Sequence, residues 1–179
     1  MSALHTGLTK VEVSIAWDPS ALGGIAHDLD IVAAAFTDPA PSPGGPEYLV
    51  RFGSRSPDGT ITLDRHSETG QGFGFDEIMT LELDRLAPRY ARVVVGVAIQ
   101  QSSGALTFGD IPHARVRIRQ SHNDLLVHTF ASIPAARAAT VAEFIHDGAG
   151  TWELREIYQG FDIDPATLGD VMGTVHASD

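Results

Sequence analysis

Apolar and polar residues alternate with a period of two along much of this chain, in short runs divided by turn residues. Val11-Glu12-Val13-Ser14-Ile15-Ala16-Trp17 sets its branched apolar side chains against Glu12 and Ser14, as a half-buried strand requires. Asp18-Pro19 ends that run, because proline has no N–H to give to a ladder. Leu29 to Phe36 is nearly continuous in apolar residues, and its length suits a strand buried on both faces. Pro39 to Pro46 is rich in proline and glycine and predicts a loop. Tyr48 to Phe52 resumes an extended pattern, Ser56-Pro57-Asp58-Gly59 is a turn sequence, and Thr60 to Leu63 follows. These three pieces together predict a hairpin.

Further along, Ile78 to Leu83 places Leu81 and Leu83 on one face and Glu82 on the other. The valine-rich Arg92 to Ile99 predicts a central strand. Arg115-Val116-Arg117-Ile118-Arg119 alternates without a break, and Leu125 to Phe130 follows a polar turn at Ser121 to Asp124. Val141 to Ile145 and Trp152 to Ile157 flank His146-Asp147-Gly148-Ala149-Gly150, a hairpin with a longer loop. Ala135 to Ala139 predicts one helical turn, and no long amphipathic helix is indicated. The expectation is an all-β sandwich of two mostly antiparallel sheets, with about ten short strands and little helix. Residues 1–179 contain neither a linker nor a usable repeat, so a single domain is expected.

Composition narrows the partners more than it narrows the fold. The formal charge of -11 disfavours nucleic acid and anionic membrane, and suits cations or basic proteins. The absence of cysteine excludes disulfides, thiolate metal sites and thiol nucleophiles. No apolar run approaches the ~20 residues of a membrane span, and no basic-then-apolar leader opens the chain, so a cytoplasmic location is expected.

Two acidic clusters carry the candidate chemistry. Thr69-Gly70-Gln71-Gly72-Phe73-Gly74-Phe75-Asp76-Glu77 is a glycine-punctuated loop ending in two carboxylates before a strand. His27-Asp28-Leu29-Asp30 is an Asp-x-Asp pair before the buried strand. Hard cations such as calcium take about 6–8 oxygen ligands, and alternate glycines let backbone carbonyls turn toward an ion. Asp28, Asp30, Asp76 and Glu77 are the candidate anionic metal ligands, and Thr69 and Gln71 the neutral ones. The competing account is that these acids cap turns and solvate loop ends.

Ala16-Trp17-Asp18, Asp28-Leu29-Asp30, Ser56-Pro57-Asp58-Gly59, Thr69-Gly70-x-Gly72-x-Gly74-x-Asp76-Glu77, Phe108-Gly109, Trp152-Glu153-Leu154-Arg155 and Gln159-Gly160-Phe161 occur in this order. The set resembles the tellurium-resistance TerD family of calcium-binding β-sandwich proteins. The resemblance spans roughly Val11 to Phe161 and implies two packed sheets, calcium at one end, and a non-catalytic part in metal or stress response. This chain departs from that pattern at His66, Ser67, Gln71, Phe73 and Phe75, where the family's glycine loop is more acidic. Fewer anionic ligands imply weak-to-moderate calcium binding. The alternative is a metal-free structural or protein-interaction module of the same fold, with Phe73 and Phe75 filling the space of the lost ligands.

Phe73 and Phe75 are expected to pack into the core, the usual fate of phenylalanine. His27, Asp28, Asp30 and His66 together suggest a transition-metal variant of the site, since imidazole suits zinc better than calcium. The bland reading of His66 is a surface histidine. Arg115, Arg117 and Arg119 predict a wet outer sheet face, with an acidic-partner stripe as the alternative. No phosphate loop, nucleophile elbow or dinucleotide fingerprint is present, so no enzymatic activity is expected. The sequence names no protein partner.

Overall fold

The computed structural model describes residues 5–100 and 106–177. Eleven strands among them form two antiparallel sheets. They are β1 (His5–Leu8), β2 (Lys10–Ala16), β3 (Leu29–Phe36), β4 (Tyr48–Val50), β5 (Ile61–Arg65), β6 (Glu77–Glu82), β7 (Arg92–Ile99), β8 (Arg115–Gln120), β9 (Asn123–Thr129), β10 (Ala138–His146) and β11 (Trp152–Phe161). One sheet runs β1-β11-β10-β7-β3-β4 and the other β5-β6-β2-β8-β9. The two sheets share one core. Val11, Val13 and Ile15 from β2 and Met79 and Leu81 from β6 meet Leu29, Ile31, Val93, Val95, Val97 and Phe144 of the larger sheet.

Alternation explains the smaller sheet, because its other face is wet. In β8, Arg115 is exposed and Arg117 and Arg119 half-buried, while Val116 and Ile118 are fully buried. The arginines are already engaged: Arg119 lies 3.0 Å from Glu12, and Arg117 lies 3.9 Å from Asp124 and 4.2 Å above the Phe75 ring. That matches the wet outer face rather than a free cationic stripe.

The larger sheet has no wet central face, and so β3 and β7 lack alternation. Every residue of both strands is buried. Their second face carries Val32, Ala34, Phe36, Val94 and Ala98, which pack under Leu168, Met172 and Val175 of the C-terminal segment. That segment enters through Asp164, whose side chain accepts the Ala166 N–H at 3.0 Å, then Pro165, and continues into the short helix α1 (Leu168–Met172). Gly96 interrupts the valines of β7 for a steric reason. A Cβ there would lie 2.6 Å from the Ala139 carbonyl oxygen and 3.1 Å from the Leu168 side chain.

Arg92 locks this segment down. It is fully buried and donates to Glu143 at 2.7 Å, to the Gly173 carbonyl at 2.9 Å and to the Val175 carbonyl. One guanidinium thus neutralises a buried carboxylate and satisfies carbonyls that follow α1.

Two local expectations fail. The Tyr48–Phe52 and Thr60–Leu63 pieces do not form a hairpin, because β4 joins β3 in the larger sheet and β5 joins β6 in the smaller one. The turn sequence at Ser56–Gly59 therefore carries the chain between sheets. Ala135–Ala139 is not helical; Ala138 and Ala139 open β10, where pairing to β7 and β11 outweighs the helix preference of alanine. The strand β1 and the helix α1 were not anticipated.

Replacing Arg92 by alanine leaves Glu143 buried without a counter-charge. Arg92→Ala is expected to lower stability by about 3–5 kcal/mol in urea unfolding. A loss below ~1 kcal/mol would show that the C-terminal segment is held by apolar packing alone.

Candidate metal centre

The site lies where β3 runs past the end of its short neighbour. β4 pairs only with Ala33 to Ala35, which leaves the N–H of Ile31 on an uncovered edge. Glu77, the first residue of β6 in the opposite sheet, fills that position. It is fully buried, and its Oε1 accepts the Ile31 N–H at 2.7 Å. Its Oε2 lies 2.8 Å from Nδ1 of His66, just after β5. One carboxylate thus ties the free edge of one sheet to the rim of the other.

Asp28 and Asp30 lie two residues apart at the start of β3, so their side chains leave the same face of the strand. Gln100, just past the end of β7, holds both. Its backbone N–H donates to the Asp28 carbonyl at 2.8 Å, and its side-chain amide donates to Asp30 Oδ2. Asp30 Oδ1 lies 3.7 Å from His66 Nδ1. One donor atom from each of Asp28, Asp30 and His66 fall within 4.8 Å of one another. Among the described residues, Asp28 Oδ1, Asp30 Oδ1 and His66 Nε2 are buried without a hydrogen-bond partner. Phe52 stacks on the imidazole with centroids 4.0 Å apart and planes 9° from parallel. These residues, with Glu68, Thr69 and Ile25, line a cleft of about 550 Å³.

Burial makes the carboxylates reluctant to ionise. Glu77 is pushed up to about 9, mainly by desolvation; the Ile31 N–H opposes the shift, and repulsion from Asp30 and Asp28 adds to it. Asp28 is pushed up to about 7 by desolvation and then by Asp30 and Glu68. Asp30 is also raised by burial, against the hydrogen bond from Gln100 and the nearby His66 and Arg51. Three crowded acids with raised affinity for protons are held at one point, and a divalent cation can replace those protons.

The six predicted ligand residues divide. Asp28, Asp30 and Glu77 come together, and Thr69 lines the cleft beside them. Asp76 does not join them. Its Oδ2 accepts the Trp17 N–H at 3.0 Å, and its own N–H donates to the Ile15 carbonyl. Neighbouring residues at a strand entrance point to opposite sides, so Asp76 and Glu77 part here. Gln71 is exposed on the glycine loop, where its N–H turns back to Thr69. His27 also stays outside the group, with Nδ1 2.9 Å from the Asp18 carbonyl.

Trp17 is the post on which both loops hang. Its indole N–H donates to the His27 carbonyl at 2.7 Å, fixing the approach to Asp28. Gly70, at φ 73°, presses on the same ring; a Cβ there would lie 2.5 Å from the indole nitrogen. The expected core packing of Phe73 is overturned, since it is 98% exposed. Phe75 is half-buried beneath Arg117 and Arg115, outside the cleft. Neither ring fills space left by lost ligands. Gln100 and Phe52 were missed as site residues. Gln100 follows directly on β7 and Phe52 lies two residues past β4, strands whose neighbours in the sheet the sequence alone does not give.

A two-sheet β-sandwich with a buried carboxylate–imidazole cluster at one rim is the class that the fold and this site define. The TerD domain model matches residues 1–170, and the chain belongs to the TerD family. It is similar to tellurium resistance protein TerD of Serratia marcescens, 24% identical over 164 residues, covering 90% of this chain and 85% of that protein. It also resembles stress response protein SCP2 of Bacillus subtilis (strain 168), 25% identical with 86% and 84% covered. A crystal structure described as a homologue of telluride resistance protein (TerD) from Streptomyces coelicolor A3(2) is 49% identical. It aligns with a TM-score of 0.89 over 96% of this chain and 100% of that one.

The raised carboxyls give a direction for pH. Asp28 and Glu77 bind protons more tightly folded than unfolded. The stability they contribute is full below their ordinary values of 3.8 and 4.5, and is lost as pH rises through about 7 and about 9. Chelator-treated protein should therefore melt at falling temperature between about pH 5 and about pH 9, and Glu77→Gln should flatten that slope. An equal slope in the variant would mean that Glu77 does not carry it.

Proposed function

We propose that this TerD family member is a stress-response binding protein that holds a divalent cation between Asp28 and Asp30, with calcium as one ion that it takes. The observation that carries this reading is the convergence of Asp28, Asp30 and His66 to within 4.8 Å, each with a buried side-chain atom that has no hydrogen-bond partner among the described residues. Leaving such groups buried and unsatisfied costs about 1–3 kcal/mol each, more when charged, and a bound cation removes that cost. The names of the relatives, tellurium resistance and stress response, supply the physiological setting of the proposal.

The role is binding rather than catalysis. Asp28 and Asp30 are the anionic ligands, Thr69 a neutral neighbour, and Glu77 a carboxylate whose two oxygens are already engaged. With two such ligands in place of four, calcium affinity falls at the weak end of oxygen-ligand sites, at a Kd of roughly 10⁻⁵–10⁻³ M. The ion would draw the Asp28 approach and the glycine-loop side of the cleft together, making the surface around it depend on metal. A cytoplasmic location fits a chain without cysteine. No helix among the described residues is long and apolar enough to cross a membrane.

Calcium titrated into chelator-treated protein is expected to give measurable heat. It should stabilise the fold by about 2.7 kcal/mol when free calcium reaches about 100 times Kd. Asp30→Asn should weaken binding at least about tenfold. Absence of both heat and a melting shift at millimolar calcium would reject the reading.

A further inference from the structure

His66 does not fit a site built for a hard cation. Calcium is held by oxygen, whereas an imidazole beside carboxylates is the donor set of zinc and other first-row divalent ions. The imidazole is also prepared as ligating histidines are. A metal-bound histidine commonly gives its second ring N–H to a carboxylate, which fixes the tautomer and aims the free lone pair. Here Nδ1 lies 2.8 Å from Glu77 Oε2. Glu77 in turn cannot swing, because its Oε1 is held by the Ile31 N–H at 2.7 Å. When Nδ1 carries the proton and donates to the Glu77 carboxylate, Nε2, buried and without a hydrogen bond among the described residues, is the nitrogen able to ligate.

The residues around the ring supply further donors, with Asp30 Oδ1 3.7 Å from the Nδ1 side. Phe52 covers one face of the ring at 4.0 Å and keeps it from turning. Asp30 is 1% exposed, one of its oxygens is fixed by Gln100, and the other has no hydrogen-bond partner among the described residues. Asp28 supplies a second such oxygen. Glu68 Oε1 lies 4.0 Å from Nε2 on the open side, in reach as a further, exposed ligand. Zinc sites take three or four ligands of N and O type, so this donor set comes nearer to a zinc shell than to a calcium shell of about 6–8 oxygens.

We propose that Asp28, Asp30 and His66 form a site selective for a first-row divalent cation of the zinc class over calcium, with Glu77 as the positioning residue that orients His66. The inference rests on the reading that a cation is held here, and adds which class of ion the site prefers. Asp28 and Asp30 serve either ion, whereas His66 serves the softer one. The Glu77–His66 contact sets the preference without touching the metal.

Isothermal titration of chelator-treated protein with zinc chloride and, separately, with calcium chloride tests this. Zinc is expected to bind at least about tenfold more tightly than calcium. His66→Gln should lose about 10–100-fold in zinc affinity while calcium affinity stays within about threefold, and Glu77→Gln should weaken zinc in the same direction. Nitrogen–proton NMR of the wild-type imidazoles gives a readout independent of any variant's folding. Zinc should shift Nε2 of His66 and leave Nδ1 protonated. Calcium binding without a preference for zinc, or a His66 signal unmoved by zinc, overturns this inference and leaves the cation site standing. No binding of either ion removes both.

Discussion

The Glu77 carboxylate is the contact on which this end of the molecule depends. A strand edge that runs beyond its neighbour presents N–H groups that must be satisfied, and the Ile31 N–H is one of them. In this chain the acceptor comes from the opposite sheet rather than from another strand. The same side chain then reaches His66, so satisfying a backbone donor also places an imidazole against Asp30. Edge protection and site construction are one arrangement.

That arrangement needs a rigid β3, and the C-terminal segment provides it. The strand is packed between the inter-sheet core on one side and Leu168, Met172 and Val175 on the other. The Arg92–Glu143 pair lies under that second layer, where charge is tolerated because the guanidinium meets a carboxylate and two backbone carbonyls at once. Asp30 occupies the same strand face as Val32 and Ala34, just beyond the apolar cover. It is therefore buried deeply enough for its charge to be costly and lies close enough to the rim to meet a ligand.

Asp76 and Phe73 illustrate how a motif can be right in outline and wrong in role. The glycine loop does end in two carboxylates, yet one of them holds Trp17 and the other builds the site. Gly70 belongs to the same structural task, since the indole leaves no room for a Cβ. Around the cleft, Ile25 and Phe52 are exposed, as are Leu22 and Phe73 on the flanking loops.

Much of the fold was legible in the residues themselves. Alternation in Val11–Trp17 and Arg115–Arg119, the unbroken apolar runs at Leu29–Phe36 and Arg92–Ile99, and the glycine turn after His146 correspond to β2, β8, β3, β7 and the β10–β11 hairpin. Local pattern suffices there because burial on one face or two is written in neighbouring residues. Asp28 and Asp30 were legible for the same reason, being two apart on a strand. Which sheet each strand joins was not legible, and so the β4–β5 hairpin was misjudged. Nor was the pairing of Glu77 with Ile31 and His66, or of Gln100 with Asp30. Those partners lie 46, 11 and 70 residues apart, and no periodicity along a chain records which strands become neighbours or which ends meet when the two sheets pack.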